Sequence, residues 1–80
     1  MLKAEIHIGR DGRVWTAEIL TTVEVQQRTR ESGKTLPRRA SGADKWNIIA
    51  RGFTQEECAQ HCAAWLEKYL PGSVAMLKTF

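Results

Sequence analysis

Thr54-Gln-Glu-Glu-Cys-Ala-Gln-His-Cys-Ala-Ala-Trp-Leu-Glu-Lys-Tyr-Leu70 is the stretch whose reading decides the fold. Thr54 and Glu57 form a capping box. The threonine hydroxyl can accept from the Glu57 amide while the glutamate reaches back, and Glu56 and Glu57 suit the positive end of a helix dipole. Beyond it Cys58, Ala59, Cys62, Ala63, Leu66, Tyr69 and Leu70 recur at intervals of three and four, one apolar stripe along a helix spanning Glu56 to Leu70. Pro71-Gly72 stops it. A helix with a single apolar stripe needs a surface to bury it against, and the flanking sequence supplies strands.

Immediately upstream, Trp46, Ile48 and Ala50 alternate with Asn47, Ile49 and Arg51, which predicts a strand apolar on one face and partly apolar on the other, closed by Gly52-Phe53. Downstream, Val74 to Leu77 is a short apolar run, followed by Lys78-Thr-Phe80, that predicts a last strand returning beside an earlier one. Near the N-terminus Ala4, Ile6 and Ile8 share one face, and Gly9-Arg10-Asp11-Gly12 supplies a tight reversal. The return strand reads as long, with Trp15, Ala17, Ile19, Val23 and Val25 on the buried face and Glu18, Thr22, Glu24 and Gln26 on the wet one. Thr21 interrupts the apolar face and marks a bend. From Gln26 to Asp44 all periodicity is lost, so a basic flexible loop or arm is expected over about 27–44. The fold class is therefore α+β: a small antiparallel or mixed four-stranded sheet in the order ββ, long loop, βαβ, with one helix packed on one face.

The 80 residues suffice for one domain over 1–80 and no more. No apolar run approaches the ~20 residues needed to cross a bilayer, and no signal-peptide pattern opens the chain. A cytoplasmic location and no membrane association are expected. Cys58 and Cys62, four apart on a helix, would staple almost nothing as a disulfide, which also points to a reducing compartment.

Charge is the unevenly distributed property. Between Arg28 and Arg51 seven bases (Arg28, Arg30, Lys34, Arg38, Arg39, Lys45 and Arg51) face two acids, Glu31 and Asp44, a net +5; the other five bases face seven acids, a net −2. These seven residues are the candidate partner-binding set. Arginines on a flexible arm can lie along phosphates or pair bidentately with carboxylates, and the plainer reading is that they keep a loop soluble. No aromatic residue interleaves with them, which disfavours stacking on single-stranded nucleic acid.

Three further patterns bear on chemistry. Ser32-Gly33-Lys34-Thr35 resembles the tail of a phosphate-binding loop, yet Arg28 stands where that motif needs its first glycine. Cys58, His61 and Cys62 could face one point as zinc ligands or as a cysteine–histidine pair, but the fourth ligand, unless His7 supplies it, and any orienting acid are missing; two thiols packed as small hydrophobes is the plainer reading. Trp65 with His61 and Lys68 makes either an exposed aromatic contact point or a ring packed at the sheet edge. No catalytic, metal or cofactor site is expected, and the protein is read as a non-enzymatic one.

In its length, single α+β unit, lack of a cofactor motif and one odd loop, the whole chain resembles the small proteins that phages and mobile elements use against bacterial defences, including the anti-CRISPR proteins. The resemblance is architectural, and Thr54-Gln-Glu-Glu with its helix is a folding signal. It implies a monomer or small homo-oligomer that binds and blocks a bacterial protein or ribonucleoprotein complex, with the segment Arg28–Arg51 and the adjoining sheet surface as its contact. The competing class is a nucleic-acid-binding accessory domain whose same arginines contact phosphates.

Overall fold

Thr54 caps its helix: the Glu57 amide donates to Thr54 Oγ1 at 3.1 Å. In the computed structural model, which describes residues 1–79, that helix is the second of two. The elements are β1 (Lys3–Asp11), β2 (Val14–Thr21), α1 (Val23–Glu31), β3 (Lys45–Gly52), α2 (Gln55–Tyr69) and β4 (Val74–Thr79). The strands make one mixed four-stranded sheet in the order β3-β2-β1-β4. The pairs β1·β2 and β2·β3 are antiparallel, and β4 runs parallel to β1, with Ile6 opposite Leu77. The small α+β fold is as expected. Residues 9–11 lie within β1, and the hairpin turns over Gly12-Arg13, Gly12 taking the positive φ of 65° that a two-residue turn demands.

The main departure follows Thr21. Val23 and Val25 alternate as a strand would, but Thr22 accepts from the Val25 amide at 3.2 Å and starts α1, so the return strand is shorter than expected and residues 27–31 are helical, not the opening of an arm. Two helices, not one, cover the sheet. The helix ends on Gly33 (φ 89°), with the Gly33 amide on the Arg30 carbonyl and the Lys34 amide on the Thr29 carbonyl. These two hydrogen bonds satisfy orphan carbonyls of the helix end and give Ser32-Gly33-Lys34 its role: it stops a helix, where a phosphate loop would begin one.

The core lies between the inner face of the sheet and both helices. Ala4, Ile6, Ile8, Ala17 and Ile19 meet Cys58, Cys62, Leu66 and Leu70 of the second helical segment, with Val25 from α1 and Leu36 from the loop closing the other end. Each fully buried isoleucine is worth about 1.5–3 kcal/mol of apolar transfer. Thr21 is buried at the end of β2 and accepts from Asn47 Nδ2 at 2.7 Å, so its hydroxyl is satisfied inside the fold.

α2 sits against the end of β3 so closely that a Cβ on Gly52 would lie 2.5 Å from the Cys58 nitrogen and 3.0 Å from both Cys58 Cα and Glu57 C. All three are backbone atoms and cannot swing aside. Gly52→Ala is therefore expected to lower unfolding free energy by about 2–3 kcal/mol, read as a fall in the urea midpoint, whereas Thr54→Ala should cost about 1 kcal/mol.

Candidate functional site

The seven bases do not form one patch. Arg28 and Arg30 are exposed on α1, Arg28 within 3.8 Å of Glu24 one turn back. Lys34 follows the helix stop, its Nζ 6.0 Å from the centroid of the Tyr69 ring. Arg38 and Arg39 are drawn inward on their own loop. Arg38 Nη2 donates to Asp44 Oδ1 at 2.9 Å and to the Gly42 carbonyl, and Arg39 Nε donates to the Asp44 carbonyl at 3.2 Å. Lys45 and Arg51 stand at opposite ends of β3, opposite Thr21 and Thr16, roughly 20 Å apart at the rise of a strand.

Residues 32–44 lack regular structure, yet they are braced. Gln26 Nε2 donates to the Leu36 carbonyl at 3.0 Å, Asn47 Nδ2 donates to the Pro37 carbonyl at 2.9 Å, and Leu36 is buried in the core. Asp44 holds Arg38 by its carboxylate and Arg39 by its backbone carbonyl, so removing the carboxylate frees one Arg38 bond and loosens the turn. Trypsin should cut after Arg38 and Arg39 slowly in the native protein and several-fold faster in Asp44→Ala, with equal rates in both proteins indicating an arm that is free already.

Cys58 and Cys62 turn into the core, 0% and 2% exposed, while His61 is exposed and its Nδ1 donates to the Arg51 carbonyl at 2.7 Å. The three therefore do not converge. Among the described residues no group of three or more His, Cys, Asp or Glu is placed to hold a metal ion. Burial pushes the Cys58 thiol up, and burial together with the neighbouring Cys58 pushes Cys62 up to about 11. Both are protonated near neutral pH, which makes them poor nucleophiles. An acid whose folded pKa is raised contributes stability that is complete below its unfolded value, 9.0, and is lost as pH climbs toward 11. Chemical denaturation should thus show a loss on the order of 1–2 kcal/mol between those pH values, and Cys62→Ala should flatten that part of the profile.

Two surfaces remain. The first is the outer face of the sheet, opposite both helices. Strand alternation and register place Glu5 and His7 of β1, Glu18 and Leu20 of β2, Trp46 and Ile48 of β3, and Val74 and Met76 of β4 on it. Trp46 reaches across β2 to stack on His7, ring centroids 3.9 Å apart and planes at 27°. Beside the stack lies a hollow of about 470 Å³ bounded by His7, Asp11, Thr16, Glu18 and Ile48. The second surface is a groove of about 490 Å³ between β3 and α2.

A β-bulge creates that groove's floor. Ala17 pairs with Ala50 and Glu18 with Ile48, so Ile49 is an extra residue, and it packs on the helix side against the core. An inserted residue re-aims side chains in this way. Trp65 and Tyr69, half-buried, form the helix wall with rings 5.1 Å apart. Trp65 thus packs on the core and still borders the groove. The outer-face cluster was readable as the polar face of β2 alone; its apolar members come from the odd-spaced partners on β3 and β4, which only strand order brings together. Comparison with protein-family models, curated proteins and solved structures finds no match.

Proposed function

We propose that this chain is a non-enzymatic binding protein of the kind that phages and mobile elements direct against bacterial defence complexes, and that it docks by the outer face of its sheet. The observation that carries the reading is the uncovered apolar surface of that face. Ile48 on one edge strand and Val74 and Met76 on the other are 43%, 40% and 48% exposed on either side of the Trp46–His7 stack, with Glu5 and Glu18 on the two central strands between them. An aromatic ring and a methionine on an open face are residue types enriched in protein interfaces. Of the seven bases, Arg51 shares this face through its pairing with Thr16, whereas Lys45, paired with the buried Thr21, belongs to the other. Arg38 and Arg39 already pair with Asp44, so laying them on phosphates would first break those bonds.

The test is target cleavage by purified bacterial RNA-guided nuclease complexes, with salt-titrated binding to duplex DNA, single-stranded DNA and RNA in parallel. The proposal expects inhibition of a complex, weakened about tenfold or more by Ile48→Asp at unchanged melting temperature, and no nucleic-acid binding near physiological salt. Binding to generic nucleic acid that falls linearly in log salt and vanishes when Arg28, Arg30, Arg38 and Arg39 become alanine would replace it with the accessory-domain reading.

A further inference from the structure

We propose a second site, independent of the outer face: the groove between β3 and α2 binds a short acidic segment of a partner protein, seating one apolar side chain on Ile49 and Trp65. Shape and charge both support it. The floor is Ile49, Ala50 and Ala64, and the wall is the Trp65 and Tyr69 pair, so the interior offers apolar and aromatic surface. A volume of about 490 Å³ admits a few side chains and no folded domain.

Arg51 meets the groove through its carbonyl, which accepts from His61, since its pairing with Thr16 turns its side chain to the outer face; the ionisable side chains that line the groove besides Tyr69 are His61 and Lys68, both basic. Among the described residues no carboxylate lines it. Lys68 Nζ lies 5.2 Å and Lys34 Nζ 6.0 Å from the Tyr69 ring centroid, so two ammonium groups stand near the ring that borders the groove. Neither makes a close ion pair with a carboxylate among the described residues. A cationic rim around an apolar slot selects an acidic, apolar ligand by complementarity and repels a basic one. Phosphates would meet the same charges, but a nucleic-acid backbone has nothing to place on Ile49. β3 is also an edge strand, so a ligand has access to the groove along its length without displacing a neighbouring strand.

The probe is a fluorescein-labelled octapeptide alternating Glu with Leu and Phe, followed by anisotropy, against the same peptide with Lys for Glu. The proposal expects saturable binding of the acidic peptide with Kd in the range of about 10–100 µM, weakening as salt rises. Lys68→Glu with Lys34→Glu, both exposed positions, should weaken it at least about tenfold while the melting temperature holds. Ile48→Asp, which disables the outer face, should leave the peptide affinity unchanged, so the two sites fail separately. Equal binding of the Lys peptide, no saturation at millimolar concentration, or undiminished binding by the double variant would each overturn the proposal, as would amide shifts confined to the outer face of the sheet.

Discussion

The seating of the first turn of α2 on the last residue of β3 is the constraint on which the rest depends. Gly52 lets the two backbones touch, and the carbonyls just before it are drawn toward the helix: Cys58 Sγ lies 4.0 Å from the Ala50 oxygen and His61 Nδ1 lies 2.7 Å from the Arg51 oxygen. With its start fixed there, α2 can lay its stripe only over the inner face of β3, β2 and β1. Cys58 and Cys62 are small enough to permit the approach, which explains thiols where longer side chains would hold the layers apart. One contact thus decides which face of the sheet is core and which is left to solvent.

That choice concentrates the unusual surface on one side. Both helices spend their apolar residues on the inner face, Val25 and Leu36 filling what α2 does not reach. Nothing within the described residues covers Trp46, Ile48, Val74 and Met76. The bases are distributed differently from the apolar surface. Arg28 and Arg30 ride on α1, behind the sheet, and Arg38 and Arg39 serve the loop that holds α1 against β3. Much of the local basicity is therefore structural, and the bases left beside apolar surface are Arg51 on β3 and Lys68 on α2.

The long periodic elements were legible because several independent signals agreed: the Thr54 box, the three-and-four stripe and Pro71-Gly72 for α2, and alternation with glycine turns for β1 and β2. α1 was not. Its two valines are spaced two apart, its remaining surface is polar, and only Val25 and Thr29 are buried, so the helix shows no stripe. The available signal was Thr22 as an N-cap with Glu24 in the first turn, which the strand-like Val23 and Val25 outweighed. The groove was partly legible, since Trp65, His61 and Lys68 share a helix side. The bulge that sends Ile49 into it is a property of pairing with β2, which one strand's sequence does not express.

The two edges of the sheet carry different burdens. β3 is interrupted by its bulge, braced at one end by the Asp44 turn and at the other by His61, all of which spoil it as a template for pairing. β4 has no such device beyond Lys78. It is exposed along its whole length, and Leu77 on the helix side is 56% exposed because α2 does not extend over it. Its hold is the parallel ladder to β1, the Val74 amide on the Leu2 carbonyl at 2.8 Å and a long bond from Gln55 Nε2 to Thr79 Oγ1 at 3.5 Å. A strand with so little burial contributes little to its own stability. A partner seated on the outer face would cover Val74 and Met76 together with Ile48, tying the two edge strands together. On this reading the apolar surface of β4 is a cost carried by the free protein and removed by docking, and the order β3-β2-β1-β4 places that surface on the same face as Trp46.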